Sequence, residues 1–392
     1  MRKFIILSAI SALAGGSAFA QSAIDAYSLS QPDLKGTARF MGMAGAFGAL
    51  GGDLSSLSQN PAGIGVYRSS DIGFTLDLDL QHSTANGGGK TSVENQTKFL
   101  LNNIGAVLTL KLANETCPNL NFGFTYNKGM SFNRMYSGNV ATLNNSLSNY
   151  IAAISNAEEL TEGDVTTTSS YDPYNPGVND YPAPWLSILG YDSYLITPSY
   201  NPTTGLTKWY GLWDDTSMNG NNTTGTGNFM INEKGSVNEF NIVFGGNISN
   251  MLYWGMNFDI INLNYSLNAF WGEDLNNAMI PDANNSLVRG RAEFGLNNVY
   301  SVSGTGFNYQ LGLIFKPVQE FRLGFAFHTP TWYNLNEDFG ATIDYRYNGT
   351  ETGYAETNGG YLGYNSYSFR TPWKIIASAA GVIGNNFILS FD

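Results

Sequence analysis

Between Asp71 and Leu80 the chain reads DIGFTLDLDL, an alternation of polar and apolar residues without a miss. Successive side chains of a strand point to opposite faces, so Ile72, Phe74, Leu76, Leu78 and Leu80 share one face and Asp71, Gly73, Thr75, Asp77 and Asp79 the other. The same period returns at Phe99–Leu112, Leu120–Arg134, Glu239–Ile248, Leu252–Ile260, Tyr309–Phe315, Phe321–Phe327, Trp373–Ile383 and Phe387–Phe391. These segments predict about nine strands and an all-β chain. A soluble sandwich gives the same alternation. Large aromatics on one face and Gly, Asn and Asp on the other instead favour lipid outside and a polar lumen inside, a transmembrane antiparallel β-barrel.

Composition agrees with a barrel: 14% of residues are Phe, Trp or Tyr and only 13% are charged. The chain opens with Arg2 and Lys3, an apolar run from Phe4 to Ala14 and the sequence Ala18-Phe19-Ala20. That order predicts a secretory signal peptide over residues 1–20, with a mature start at Gln21 and an address in the outer membrane of a Gram-negative bacterium. Beyond it no apolar window reaches the roughly 18 residues that a spanning helix needs. The net charge of −12 argues against nucleic acid as a partner. A single cysteine, Cys117, excludes an internal disulfide framework and reads as an incidental residue of the turn Ala113–Asn119.

Connections alternate between short and long, as an outer-membrane barrel requires. Ala113–Asn119, Ser249–Met251, Lys316–Glu320 and Gly384–Asn386 are short and predict periplasmic turns. His82–Thr97, Met135–Val237, part of Ala269–Ser303 and Thr329–Gly360 are long and predict extracellular loops. Between Ile260 and Ile261 the apolar phase flips, which predicts a bulge or the end of the membrane-spanning part. Within 135–237, Leu143, Leu147, Tyr150, Ile151 and Ile154 are spaced for one face of a short helix. The remainder carries Tyr171, Tyr174, Tyr181, Trp185, Tyr191, Tyr194, Trp209, Tyr210 and Trp213. Those aromatics read as a greasy capture surface, with Tyr181, Trp185, Trp209, Tyr210 and Trp213 as its candidates, or as the loop's own small core. Carbohydrate stacking is a third reading.

Ahead of the first strand, Phe40–Tyr67 carries Gly42, Gly45, Gly48, Gly51, Gly52, Gly63 and Gly65 among small or unbranched apolar residues. Each glycine inside a helix costs roughly 1 kcal/mol relative to alanine, so the segment reads as a compact, turning element for a confined space. Gln59-Asn60-Pro61-Ala62-Gly63 is a turn signal.

A glycine-rich segment with an acidic residue, Asp53, then Asn60-Pro61-Ala62 leading into a first alternating strand, resembles the FadL/TodX family of outer-membrane transporters for long-chain fatty acids and other hydrophobic compounds. The motif covers about residues 36–80 and the architecture the whole chain. The resemblance implies that residues 21–70 are a plug, or hatch, inside a barrel formed by 71–392, with Gly42, Gly45, Gly48, Asp53, Asn60, Pro61 and Ala62 as its gating residues. It implies an inward kink in the third strand as a lateral exit, for which Gly129 is the candidate, although ordinary strand irregularity is an equal reading. It implies about fourteen strands, so a chain ending at Asp392 is expected to be C-terminally truncated by about five.

Capture by outer loops, transfer through an apolar pocket above the plug and passive release follow from the resemblance, with a hydrophobic small molecule, outer-membrane lipid and the barrel-assembly machinery as partners. The alternative is a non-transporting surface-display barrel for adhesion or glycan contact. No enzyme, metal or cofactor is expected. His82 falls in an outer loop and His328 at the lumen or its rim, placements that outweigh haem ligation by the pair. No lysine follows the glycines as a phosphate loop requires, and Asp77 and Asp79 read as a wet lumen rather than a calcium site. Fatty acids, aromatic hydrocarbons and haem would all suit an apolar pocket.

Overall fold

The computed structural model describes residues 33–87, 90–168, 172–174, 183–216, 221–282, 287–383 and 387–392. Residues 1–32, which hold the expected signal peptide, lie outside them, as do Tyr171, Tyr181 and residues 384–386, expected as a turn. Strands dominate: β1 (Asp71–Gly87), β2 (Lys90–Lys111), β3 (Asn119–Ser131), β4 (Arg134–Val140), β5 (Ile196–Asn201), β6 (Leu206–Gly211), β7 (Thr224–Ile248), β8 (Leu252–Pro281), β9 (Leu287–Val318), β10 (Phe321–His328), β11 (Trp332–Tyr347), β12 (Glu351–Glu356), β13 (Gly363–Arg370), β14 (Lys374–Ile383) and β15 (Phe387–Phe391).

All but the hairpin β5–β6 belong to one strongly curled antiparallel sheet, a half-barrel whose main path is β1-β2-β3-β7-β8-β9-β10-β14-β15. That path passes through the nine segments that alternation marks. No helix among the described residues is long and apolar enough to cross a membrane.

Several strands are longer than their alternation. The β8–β9 hairpin is paired almost continuously from Leu252↔Phe315 to Pro281↔Leu287, and β7 enters at Thr224. The regions 82–97, 269–303 and 329–360, expected as loops, are therefore largely strand, and the long insertion shrinks to residues 141–223. The phase flip at Ile260/Ile261 is no bulge: Ile260 pairs with Phe240 and Ile261 with Glu239 in unbroken register. What changes there is chemistry. Below it, at the end carrying the turn Ser249–Met251, Gly255, Asn257 and Asp259 face inward while Met256 and Ile260 are exposed outside. Above it Ile261 and Leu263 face inward and Asn262 and Asn264 outward.

The insertion forms a cap on the upper inner face. Its helix Leu147–Ala157, capped by Ser146, holds four of the five expected residues, with Leu143 ahead of it; it buries Ile151, while Tyr150 points outward. With the helix Trp185–Asp192 and the β5–β6 hairpin it packs onto Leu275, Ile280, Phe294, Leu296 and Ile343 of the sheet.

Candidate functional site

The glycine-rich segment lies in the hollow of the sheet, and the contacts start from its own turns. Asn60, 1% exposed, caps the turn of 3-10 helix Pro61–Val66: its Oδ1 accepts from the Ala62 amide at 3.0 Å. Its Nδ2 donates to Gly48 O at 2.5 Å and Leu313 O at 3.4 Å, so one side chain ties the motif to the preceding turn and to β9. Asp53 is buried and accepts from Thr37 Oγ1 at 2.7 Å, Arg39 Nε at 3.2 Å and the Ser55 amide at 2.9 Å. It holds the segment to itself rather than facing a ligand.

A segment held in turns and short helices leaves backbone carbonyls that the wall must satisfy. The strands supply the donors: Asn121 Nδ2 to Ile64 O at 2.5 Å, Asn119 Nδ2 to Tyr67 O at 2.9 Å, Asn102 Nδ2 to Gly36 O at 3.3 Å and Arg322 Nη1 to Leu50 O at 2.6 Å. His328, buried, bonds Gln59 O through Nε2 at 2.9 Å, whereas His82 lies exposed in β1 against Asn95. Each histidine thus has its own partner. Among the described residues no three His, Cys, Asp or Glu side chains come together as metal ligands would.

Close approach depends on a row of glycines. Gly245, Gly255 and Gly312 are directly paired across β7, β8 and β9, and Ala326 continues the row on β10. A Cβ at Gly312 would overlap Asn60 Oδ1, and one at Gly255 would overlap the Pro61 carbonyl. At Gly324 it would strike Gly48 O, and at Gly48 itself Ser378 Oγ. Of the expected residues, Gly48, Asn60, Pro61 and Ala62 converge on this seat. Gly45 has φ +77°, a turn position, and Gly42 meets nothing within 4 Å. The seat glycines were not singled out from sequence, because their cross-strand alignment exists only once the register is known.

Gly129 is the extra residue of a β-bulge between Lys128↔Asn238 and Met130↔Val237. Backbone pairing of β2 with β3 stops at Asn103↔Asn127; above that level β2 pairs with β1 and β3 and β4 with β7, and side chains alone bridge the two edges, Lys98 Nζ donating to Asn133 Oδ1 and Ser137 Oγ to Glu94. The glycine-rich segment's leading end sits in this break: the Asp33 amide donates to Gly129 O at 3.0 Å, its carboxylate accepts from the Ser131 amide at 3.1 Å, and Lys35 lies 3.7 Å from Asp77. Met130 and Phe132, beside the break, pack against an inner apolar cluster of Val237, Ile261, Leu263, Val302, Tyr333 and Leu335.

In the cap, Trp209 is 2% exposed and donates Nε1 to Leu160 O at 2.7 Å, so it belongs to the core rather than to a capture surface. Trp185 and Trp213 pack partly against the same core, while Tyr210 is exposed with Lys208 over its ring at 5.0 Å. Tyr181 lies outside the described residues. Glu273 of β8, 4% exposed, pins the cap by accepting from the Leu147 amide at 2.8 Å and Trp271 Nε1 at 2.7 Å. Burial raises its pKa against the opposing pull of those hydrogen bonds.

No family model, curated protein or solved structure matches the chain.

Proposed function

We propose that the chain is an outer-membrane β-barrel protein of the FadL/TodX kind, with residues 33–70 as its plug, and that it passes hydrophobic molecules passively. The observation that carries this reading is the junction between the inner apolar cluster and the break in the wall's backbone pairing: Met130 and Phe132 pack against the cluster and flank the place where the β2–β3 ladder ends. A polar-solute pore has no use for an apolar interior beside a stretch of wall that side chains alone hold closed.

The outer surface supports a lipid address. On β9, Phe307, Tyr309, Leu311, Leu313 and Phe315 are all exposed, and the band continues through Phe321, Leu323 and Phe325 on β10 and Ile72 to Leu80 on β1. Eight residue steps from Phe307 to Phe315 span about 27 Å of strand, or about 20 Å along the normal at a tilt of about 40°, close to the apolar height of such barrels. In water so much contiguous apolar surface would aggregate. Outer-membrane lipid and the barrel-assembly machinery are the partners this reading requires.

In the mechanism, cargo enters under the cap, keeps its apolar surface out of water along the Val237–Leu335 cluster, and leaves at the break once residues 33–36 withdraw and the Lys98–Asn133 and Ser137–Glu94 contacts part. Burial contributes roughly 25 cal/mol per Å², and no energy input is needed. The test is uptake of an apolar fluorescent probe into proteoliposomes by the unmodified protein and by Asn60→Ala, which removes the acceptor of the Ala62 amide and the donor to Gly48 O. A changed rate with unchanged heat-modifiable mobility on gels is expected; an unchanged rate would overturn the gating role.

A further inference from the structure

Directly beneath the inner apolar cluster the wall turns acidic. On paired strands β7 and β8, Glu239 stands opposite Ile261 and Asp259 opposite Asn241, which makes the two carboxylates diagonal neighbours on the inner face. Asp259 is 1% exposed; its Oδ2 accepts from Asn308 Nδ2 at 3.1 Å, and its Oδ1 has no donor among the described residues. Asn241 Nδ2 and Asn257 Oδ1, both buried beside it, also have no partner there. Glu239 reaches the break itself: a Cβ on Gly129 would lie 3.1 Å from Glu239 Oε1.

Lys374 of β14, paired with His328, is the cation whose charge bears on Glu239, and His328 is already held by Gln59 O. A carboxylate head brings acceptors and no donor to this level, where it meets two carboxyl groups and nothing that satisfies Asp259 Oδ1. A buried carboxylate oxygen without a donor is costly, and a ligand carrying a donor relieves that cost.

We infer that Asp259 and Glu239 are specificity-determining residues: the cargo is an apolar molecule headed by a hydrogen-bond donor without negative charge, a hydroxyl or an amine, and carboxylate-headed chains are disfavoured at this level. The inference rests on the transport reading. The head donates to Asp259 Oδ1 while its tail lies among Val237, Ile261 and Tyr333.

The experiment compares binding of an alkyl alcohol, the alkylamine and the alkyl carboxylate of equal chain length to the full chain in mild detergent at neutral pH, followed by intrinsic tryptophan fluorescence. The alcohol and amine are expected to bind at least about tenfold more tightly than the acid, and the double variant Glu239→Gln/Asp259→Asn, checked for heat-modifiable mobility, to shrink that gap to within about threefold. Equal or tighter binding of the acid to the unmodified protein, or a preference that persists in the variant, overturns the inference and leaves the transport reading standing. Binding of none of the three removes both.

Discussion

The lower and upper halves of β7, β8 and β9 are continuous strands with the same period and opposite chemistry. Below Ile260 the outer face carries Met256, Leu311 and Phe315 and the inner face Asn257, Asp259 and Gln310; above it Asn262, Asn264 and Ser303 look out while Leu263, Val302 and Leu296 look in. Nothing in the backbone changes at the boundary, since the register runs straight through. On the transport reading the sheet is written for two solvents: lipid outside and a polar interior below, water outside and an apolar interior above.

The largest effect expected on this contrast comes from truncating leucines on opposite faces. Leu263→Ala in the upper interior, 1% exposed, should cost about 2–5 kcal/mol of stability, whereas Leu311→Ala, 48% exposed in the outer band, should cost far less in lipid. Denaturant titration of both in vesicles checks the pair. Charge sharpens the outer face next: Leu311→Lys should destabilise by about 2–4 kcal/mol in a bilayer, and Asn264→Lys, on the same face above the band, by about 0–1 kcal/mol. Equal costs would erase the boundary.

A third contrast lies in the seat. Gly312→Val should displace Asn60 and cost about 1–3 kcal/mol, read as faster proteolysis of residues 33–66, while Gly42→Ala, with open space around it, should change nothing.

The smallest effect concerns the cap. Glu273 has a folded pKa raised by burial, so the fold favours its protonated form. Stability is then fullest below the ordinary carboxylate value and falls as pH rises through the raised folded value. Proteolysis of the cap should slow as pH drops from neutral, and Glu273→Gln, which keeps an acceptor for the Leu147 amide, should flatten that dependence.

The lower half was legible because alternation with apolar residues outside repeats strand after strand, from Asp71–Leu80 to Phe387–Phe391. The upper half was not, because Asn262, Asn264 and Asn268 in β8 lie past the marked segment Leu252–Ile260, where the apolar residues change face. Asn60-Pro61-Ala62 could be found in sequence since its turn chemistry is local. Its seat could not: Gly245, Gly255, Gly312 and Gly324 lie on four strands and acquire meaning only through pairing. Trp209 shows a similar limit, because aromatic content alone does not separate a small core from a surface.

The central claim is that the band around Leu311 faces lipid and the region above it does not. The most direct measurement places a single bimane label at residue 311, 310 or 264 in a Cys117→Ser background, since Cys117 is the sole cysteine, and reads quenching by brominated lipids in reconstituted vesicles. The account predicts strong quenching at 311 and little at 310, which faces inward, or at 264, which stands above the band. Equal quenching at 311 and 264, or stronger quenching at 310, would contradict it.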